Sequence, residues 1–421
     1  MKIRFAGMAA ALLAAILFNP IPARGISAEQ AIVVDGETGR ILYEKRADER
    51  GLIASTTKMM TALIVCEQSN VLDRVRIPKE AVGIEGSSMY LREAEVLTVQ
   101  ELLYGLMLQS GNDAAVALAI YCGGTVEGFV QLMNDKAHRL GLENTHFANP
   151  NGLDAPGHYS TPRDLAKLAI YAMKNPIFAQ TVSTKTIKIG ERYLRNHNKL
   201  LWKVEGADGV KTGFTKAAGR ILVSSARRDG RRLIVVTFND PNDWLDHQQL
   251  LEQGFSDYKL KNIIYKGQVL GQMNIVGGSA EQVPIISNDD FSVALRTGER
   301  WHIELPAKSF EYAPVSEGQD AGIGHIFIDD EPVGSVRLVY GESADPQKSP
   351  KKLGGKVYFK EVACERTDTK NTVATRGCLP QTGRTDDIRW QNLLQRRCLR
   401  FGRCCGCRYG YTSSGRKTPS V

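Results

Sequence analysis

Ser55 and Lys58 are candidates for a nucleophile and the base that activates it. They lie three residues apart, in Ser-Thr-Thr-Lys, where a segment with helical apolar spacing begins. Residues three apart share one face of a helix, so the Lys58 amine lies one turn from the Ser55 hydroxyl. A lysine partly desolvated among Met and Leu side chains can be neutral enough to take the serine proton and activate a nucleophile. By itself, this spacing more often marks a helix-capping serine beside a solvated lysine.

Two further motifs follow along the chain. In Ser110-Gly-Asn112, which comes directly after the helical pattern ELLYGLMLQ, a second hydroxyl could relay protons and an amide could hold a substrate amide. Lys211-Thr212-Gly213 follows a strand-like approach. There a cation and a hydroxyl could bind a carboxylate, while glycine lets a substrate backbone come close. Each triplet alone could be a turn or a solvated strand end, whereas all three in this order are specific.

The sequence around the three motifs predicts both helices and strands. Strand patterns bracket the region and helical patterns fill its middle, which indicates an α+β domain. The predicted elements are a hairpin at 31–43, helices at 55–67, 98–140 and 161–174, a strand pair at 221–239 and a helix at 242–253.

The pattern changes after residue 258. Short alternating runs such as FSVAL (291–295) and WHIEL (301–305) are separated by turn signals every 8 to 12 residues. This spacing predicts a small all-β sandwich over residues 258–348. It contains no cluster with catalytic character, so we interpret it as a spacer or docking module.

The N-terminus predicts export. Lys2 and Arg4 precede an apolar stretch over 5–18, and small residues follow, which is the pattern of a secretory signal peptide over residues 1–28 with cleavage near Gly25 or Ala28. The alternative is an uncleaved anchor, although the stretch is shorter than the roughly 20 residues that span a bilayer. We therefore expect an exported, extracytoplasmic protein at the outer face of the membrane or in the cell wall.

Charge and cysteine are concentrated near the C-terminal end. The 421 residues include 54 Lys and Arg, 46 Asp and Glu and eight Cys, with a net charge of +8. Residues 364–421 alone hold twelve Lys and Arg, four Asp and Glu and six of the Cys, so the rest of the chain is neutral.

The length of the chain predicts two domains plus shorter terminal segments. A neutral body argues against nucleic acid as a partner, and the seven His have no metal-ligand spacing, so we predict no metal and no cofactor.

Residues 349–421 are predicted to be a linker and an atypical basic, Cys-rich tail. The tail contains Leu379-Pro-Gln-Thr-Gly383, which resembles the motif at which surface proteins of Gram-positive-type cells are cleaved and joined to the wall. Such signals need a following apolar stretch and a short basic end, and the residues after Gly383 supply basic residues but no apolar stretch. Three interpretations stay open: a frame-shifted translation of a lost apolar segment, a basic amphipathic surface helix, or an uninformative tail.

Longer stretches around the three motifs carry a family resemblance. Residues 29–345 resemble the low-molecular-weight penicillin-binding proteins, which are serine D-alanyl-D-alanine carboxypeptidases. The resemblance implies an antiparallel sheet flanked by helices with a helical subdomain over residues 29–257, followed by the β domain. The matching stretches are IASTTKMMTALIV, GSSMYL, LLYGLMLQSGNDAA, NTHFANPNGLD, HYSTPRDLA and DGVKTGFTKAAGR.

The resemblance also implies a role for each site residue. Ser55 would attack the carbonyl between the two terminal D-alanines of a peptidoglycan stem peptide, and Lys58 would act as general base. Ser110 would pass a proton to the leaving amine, and Asn112 would position the substrate. The terminal carboxylate would be bound by Lys211, Thr212 and Thr215. Backbone N–H groups of Ser55 and Phe214 would form the oxyanion hole, and penicillins would acylate Ser55.

This chain departs from the family pattern in places. Relatives often have His where Phe214 stands, although only the backbone of this residue is needed for the oxyanion hole. Arg220 is a weak candidate for the arginine that some relatives use to bind the carboxylate, and a solvated strand arginine is the preferred interpretation. Asp164 follows Ser160 and Thr161 at a helix start, which favours a capping role.

Two alternative functions stay open at this point. A class A β-lactamase resembles these motifs but adds a Glu-x-x-x-Asn loop that activates the deacylating water, and none lies between Ser110 and Lys211. A non-catalytic wall-binding protein of the same fold would be expected to have a damaged motif, and all three motifs are intact.

Overall fold

The computed structural model describes residues 25–347, so most of the predicted signal peptide and the predicted tail lie outside the described residues. Its first part contains nine strands, eight α-helices and two 3-10 turns within those residues. The strands are β1 (Gln30–Asp35), β2 (Ile41–Lys45), β3 (Arg74–Arg76), β4 (Val96–Thr98), β5 (Thr186–Ile189), β6 (Arg192–Arg195), β7 (Ala207–Thr215), β8 (Gly219–Arg228) and β9 (Arg231–Phe238). The helices are α1 (Lys58–Gln68), α2 (Val99–Leu108), α3 (Asn112–Gly123), α4 (Val126–Arg139), α5 (Pro162–Ala172), α6 (Pro176–Ser183), α7 (Leu200–Lys203) and α8 (Asp243–Asp257). The 3-10 turns are Ala54–Thr57 and Lys79–Ala81.

An antiparallel five-stranded sheet in the order β2-β1-β9-β8-β7 separates two apolar layers. Side chains alternate between the faces of a strand, so Ile32 and Val34 of β1 pack on one side with α1 to α6, whereas Val33 packs on the other with α7 and α8. The predicted α+β architecture is confirmed. The order leaves β7, which carries the Lys-Thr-Gly motif, at one edge of the sheet.

Helix α1 is the central helix of the larger layer. Its residues from Lys58 to Cys66 are all buried. A helix buried all round must be covered on every side, and α2 to α6 together with the sheet supply this cover. The end of α1 that faces β7 is therefore held in position by most of the domain.

Two predicted helices have different boundaries in the structure. The predicted helix at 55–67 begins as a 3-10 turn, and the α-helix starts only at Lys58. The helical patterns predicted over 98–140 correspond to three helices, α2, α3 and α4, which are separated where Ser110 and Gly124 have left-handed φ values of 60° and 75°. Thr125 then caps α4 by accepting a hydrogen bond from a backbone N–H.

The second part is all-β, as predicted. Its strands are β10 (Tyr258–Ile264), β11 (Val269–Val276), β12 (Gln282–Ser287), β13 (Phe291–Arg296), β14 (Trp301–Glu304), β15 (Phe310–Tyr312), β16 (Asp320–Ile328) and β17 (Glu331–Tyr340). They enclose one apolar core between a six-stranded sheet, in the order β14-β16-β17-β12-β11-β15, and the pair β10-β13.

The two parts are joined without a linker, because α8 ends at Asp257 and β10 begins at Tyr258. The Tyr258 hydroxyl donates to the Leu42 carbonyl over 3.0 Å, and Arg40 pairs with Glu299 at 2.5 Å. These contacts tie the first hairpin to the β domain. Among residues 25–347, no single helix is long and apolar enough to cross a membrane, although the bent pair of α3 and α4 qualifies by length and composition alone.

Candidate active site

Ser55 lies in the 3-10 turn that leads into α1. Ala54, which begins the turn, has a left-handed φ of 43°. The Thr57 hydroxyl closes the turn by donating to the Ala54 carbonyl over 2.8 Å. Residues three apart are nearly eclipsed in a 3-10 turn, so Ser55 and Lys58 face the same side although Ser55 precedes the α-helix. Lys58 Nζ lies 2.9 Å from Ser55 Oγ.

Neutral oxygen atoms surround the amine of Lys58, whose side chain is fully buried. Its Nζ lies 2.7 Å from Asn112 Oδ1 and donates to the carbonyl of Asn151. Burial lowers the pKa of Lys58 well below its usual value, and the charge of Lys211 lowers this pKa further. A neutral amine has two N–H groups and one lone pair. Lys58 can therefore donate to both oxygens and still accept the Ser55 proton.

Ser110 and Lys211 form a second buried pair. Lys211 Nζ donates to Ser110 Oγ over 3.0 Å and to the Thr212 carbonyl over 2.8 Å. Burial lowers the pKa of Lys211 to about 7. Ser110 has a left-handed φ of 60°, a conformation that non-glycine residues adopt at an energetic cost and that often marks functional sites. The hydroxyl of Ser110 thus lies beside a cation that neutral pH holds only partly charged.

Asn112 is the first residue of α3 and is held by a neighbouring loop over 85–91. Its backbone N–H donates to the Ser87 carbonyl over 2.7 Å, and Nδ2 donates to the Glu85 carbonyl over 2.5 Å. The carboxylate of Asp113 accepts two further backbone N–H groups of this loop at 3.1 and 3.0 Å. The loop therefore forms a fixed wall beside the amide, with Oδ1 left to face the buried amine.

Gly213 brings β7 into contact with the Ser55 turn. A Cβ placed on Gly213 would lie 3.3 Å from the Ser55 nitrogen and 3.3 Å from the Ile53 carbonyl oxygen, closer than side chains ordinarily approach. Phe214, the next residue, has a side chain that is 64% exposed. The backbone N–H groups of Ser55 and Phe214 thus belong to two segments in direct contact.

The hydroxyl of Thr215 is engaged in a turn at the end of β7. It accepts from the Ala218 nitrogen over 3.0 Å and lies 3.2 Å from a carboxylate oxygen of Asp154. This placement separates Thr215 from the other predicted site residues. The structure brings the others together around one cleft or directly beneath it: Ser55, Lys58, Ser110, Asn112, Lys211, Thr212, Gly213 and Phe214.

A loop over 148–158, which no sequence motif assigned to the site, supports the Ser55 turn. Gly152 has φ of 87°, and a Cβ there would lie only 1.9 Å from the Ala54 carbonyl oxygen. Asn151, beside it, supplies the carbonyl that accepts from Lys58. The letters Asn-Pro-Asn-Gly indicate a tight turn, but nothing in the local sequence says that the turn meets Ser55.

His158 completes this support. Its Nδ1 accepts from the Ala148 nitrogen over 3.0 Å, so Nε2 carries the proton and donates to the Thr57 hydroxyl over 2.7 Å. Burial lowers the pKa of His158 to about 4, which keeps the ring neutral in this role. A chain of hydrogen bonds therefore runs from His158 through Thr57 to the carbonyl of Ala54.

Two further residues differ from their sequence interpretation. Thr161, not Asp164, caps α5; the Asp164 carboxylate accepts from the Asn144 nitrogen over 2.8 Å and holds a preceding loop instead. Arg220 is a partly solvated strand arginine, with 40% of its side chain exposed, but it also lines the cleft and pairs with both oxygens of Asp243 at 2.7 and 2.9 Å. Its place opposite Phe214 on the neighbouring strand could not be read from spacing alone.

The cleft beside Ser55 has a volume of about 670 Å³, which is in the range of small-molecule binding sites. Residues 25–347 contain no group of three or more His, Cys, Asp or Glu side chains arranged to hold a metal ion. The chemistry that this arrangement can perform is nucleophilic attack by Ser55 with a buried amine as base.

Substitution of Gly152 by alanine tests the support of the Ser55 turn. The added Cβ cannot fit against the Ala54 carbonyl oxygen, so the turn must shift. Displacement of reacting groups by about 1 Å can cost on the order of 100-fold in rate. We expect Gly152→Ala to slow acylation of Ser55 by a fluorescent penicillin about 100-fold, measured as the rate of labelling.

Gly157→Ala is the matched control. Gly157 also has a left-handed φ, of 77°, but the nearest atom to its added Cβ lies 3.7 Å away. It carries the conformational strain without the collision, so we expect labelling close to the wild-type rate. Equal labelling of the two variants would contradict a supporting role for Gly152.

Comparisons with known proteins agree with this geometry. Residues 19–242 match the family described as D-alanyl-D-alanine carboxypeptidase, and residues 258–345 match the C-terminal domain of penicillin-binding protein 5. The D-alanyl-D-alanine carboxypeptidase DacF of Bacillus subtilis is 33% identical over 311 residues, which cover 70% of this chain and 80% of the relative. DacD of Salmonella typhimurium is 33% identical over 349 residues, covering 78% and 89%.

Solved structures give the same result. Penicillin-binding protein 5 from Haemophilus influenzae is similar with a TM-score of 0.66 and 30% identity, covering 76% of this chain and 98% of that one. A mutant of the DD-transpeptidase of Streptomyces K15 has a TM-score of 0.54 and 38% identity, covering 55% and 98%. The chain therefore belongs to the D-alanyl-D-alanine carboxypeptidase family of low-molecular-weight penicillin-binding proteins.

Proposed function

We propose that this protein is a serine D-alanyl-D-alanine carboxypeptidase that removes the terminal D-alanine from peptidoglycan stem pentapeptides through an acyl-enzyme on Ser55. Penicillins bind the same cleft and acylate the same hydroxyl. The observation that carries the proposal is the position of Lys58, whose fully buried amine lies among neutral oxygens and 2.9 Å from Ser55 Oγ.

In the first step, Ser55 Oγ attacks the carbonyl carbon between the two D-alanines while its proton moves to Lys58 Nζ. The negative charge that develops on the carbonyl oxygen is stabilised by the backbone N–H groups of Ser55 and Phe214. Ser110 then delivers its proton to the leaving amine and receives in exchange the proton that Lys58 took, so the C–N bond breaks, D-alanine departs and Lys58 is neutral again. Water attacks the resulting ester while Lys58 accepts a proton from it, and this proton passes to Ser55 Oγ as the ester C–O bond breaks and the shortened peptide is released.

The substrate is held along β7. This strand is at the edge of the sheet, and an extended peptide can bind beside an edge strand through main-chain hydrogen bonds. Lys211 and Thr212 are placed to bind the terminal carboxylate near Ser110, and Arg220 supplies a further cation on the neighbouring strand. The engaged hydroxyl of Thr215 makes its predicted carboxylate contact depend on a rearrangement of its turn.

A β-lactamase is the less favoured enzymatic function. Rapid deacylation in class A enzymes uses a glutamate close to the serine. Within the described residues, the amine of Lys58 has a serine oxygen, an amide oxygen and a backbone carbonyl as partners, and none is a carboxylate. This surrounding supports an acyl-enzyme that penicillin forms readily and that turns over slowly.

Substitution of the nucleophile tests the proposed function. We expect Ser55→Ala to lose labelling by fluorescent penicillin and to lower D-alanine release from a stem pentapeptide by about 10⁴-fold or more, because the remaining groups have no hydroxyl to acylate. Ser183→Ala, on α6 and outside the cleft, is the control and should retain both activities. Labelling of Ser55→Ala at the wild-type level would show the acyl-enzyme assignment to be wrong, and fast penicillin turnover without D-alanine release would favour the lactamase.

The two buried lysines predict a pH optimum. Lys58 must be neutral to accept a proton, so kcat/KM should rise with pH through its lowered pKa. Lys211 must be charged to bind a carboxylate, and because its pKa is lowered to about 7, kcat/KM should fall as pH increases above about 7. The measurement is the pH profile of D-alanine release.

Lys211→Arg separates the two limbs of this profile. An arginine stays charged at all accessible pH values, so we expect the alkaline fall to move to higher pH. The acid limb, which belongs to Lys58, should remain where it is in the wild type. An alkaline limb that Lys211→Arg leaves in place would assign that limb to another group.

We also propose that the protein is exported and acts at the outer face of the membrane or in the cell wall. The charged and apolar pattern of residues 1–18 and the location of peptidoglycan support this proposal. The contacts of Ser27 and Ala28 constrain where the signal peptide is cleaved. The Ser27 backbone N–H and hydroxyl donate to the Asp246 carboxylate at 2.5 and 2.8 Å, and Ala28 is fully buried. Cleavage near Gly25 keeps these contacts, whereas cleavage after Ala28 removes them.

Fractionation and N-terminal sequencing test export together. We expect the processed chain outside the cytoplasm, with its first residue at or before position 27. A chain found with a cytoplasmic marker enzyme would contradict export, and an N-terminus at Glu29 would contradict the inferred cleavage position.

A further inference from the structure

One side of the cleft is formed by residues 195–199, which lead from the end of β6 to the start of α7. Arg195, His197 and Lys199 are exposed and line the cleft, whereas the residues between them are buried. The exposed and buried side chains alternate although the segment bends at His197 and Lys199 has helical φ and ψ values of −66° and −20°. We refer to the side chains of Arg195, His197 and Lys199 as the 195–199 strip.

Two buried asparagines fix the strip. Asn196 Nδ2 donates to the carbonyls of Val182 and Thr184 at 3.1 and 3.0 Å. Asn198 Nδ2 donates to the Gly209 carbonyl over 2.8 Å, which ties the strip to β7. The strip is therefore a rigid part of the cleft wall, built by hydrogen bonds on its buried face, and its direction relative to the nucleophile is set.

The two cations of the strip, Arg195 and Lys199, contact aromatic rings. In the described part of the chain, neither Arg195 nor Lys199 forms an ion pair, and each lies instead over an aromatic ring, Trp202 at 5.0 Å and Trp244 at 5.8 Å. The cleft lining contains one carboxylate, Asp243, and this group already accepts both hydrogen bonds of Arg220. Aromatic faces orient the two cations without cancelling their charge.

The volume of the cleft also exceeds what one small residue needs. A cleft of about 670 Å³ can hold a ligand of several residues. The terminal carboxylate of the proposed substrate is bound at Lys211 and Thr212, which leaves the two cations of the strip without a role in that contact.

We propose that the 195–199 strip is a subsite for a second carboxylate of the substrate, so that the enzyme prefers acidic peptides to their amidated forms. The inference rests on the proposed function and specifies its substrate class. Two positions of the second carboxylate share this chemistry. It can belong to the residue that precedes D-Ala-D-Ala, or to the side chain of the C-terminal residue that leaves.

The experiment uses the full chain and two matched pairs of synthetic peptides. The first pair ends in D-Ala-D-Ala and differs only in a free carboxylate or its primary amide on the preceding residue. The second pair ends in D-Ala-D-Glu or D-Ala-D-Gln. For each pair, the ratio of kcat/KM for the acidic peptide to that for the amide is measured, so that general losses of activity cancel.

We expect a ratio of about fivefold in at least one pair, which corresponds to one or two partly exposed charge contacts. The ratio should decrease towards one as ionic strength rises to about 0.5 M, because salt screens exposed charges. The pair that shows the preference identifies the side of the scissile bond on which the second carboxylate lies.

The variant Arg195→Gln/Lys199→Gln should bring this ratio to about one. Lys261→Gln/Arg300→Gln removes the same charge from exposed positions of the β domain and should keep the wild-type ratio. Thermal unfolding of both double variants checks that they fold.

A wild-type ratio of one in both pairs, or a ratio that the strip variant leaves unchanged, overturns the subsite. Absence of hydrolysis of every peptide would instead contradict the proposed function.

Discussion

The active site depends on the burial of an amine that, within residues 25–347, hydrogen-bonds to no carboxylate. Removing a lysine from water disfavours its charged form, and an acidic partner would restore that charge. Lys58 has neutral oxygens from Asn112 and Asn151 instead, so the fold keeps the base ready to accept a proton. The charge of the other buried lysine, Lys211, also favours the neutral form of Lys58, because it lowers the pKa of Lys58. The central position of α1 makes this burial complete, because the sheet and five helices cover it.

The parts that meet at this amine come from distant regions of the chain. The turn with Ser55, the start of α3 and the loop over 148–158 each contribute one oxygen to this amine, and the edge strand β7 contributes the nearby charge of Lys211. Close packing at Gly152 and Gly213 replaces side chains with backbone contact, which leaves little freedom for the nucleophile. Such a site gains its precision from the rigidity of its surroundings.

The three motifs could be predicted from the sequence because each is local and their order is specific. The apolar spacing also predicted the fold class and the all-β domain. The 3-10 turn at Ser55 and the left-handed conformations of Ala54 and Ser110 could not be predicted, since residues other than glycine adopt this conformation only where tertiary contacts hold it. The carbonyl of Asn151 and the contacts of His158 were missed for another reason: they come from a loop whose local pattern indicates only a turn.

The direct junction between α8 and β10 has a mechanical consequence. Asp257 ends α8 and the next residue, Tyr258, begins β10, so no linker separates the two domains. Because Arg40 also pairs with Glu299, the β domain is a rigid support for the catalytic domain, and we refer to it as the pedestal. Any surface on which the pedestal stood would also set the direction in which the cleft opens. Access to a peptide would then be decided by orientation as much as by reach, and only peptides presented at the matching angle would be trimmed.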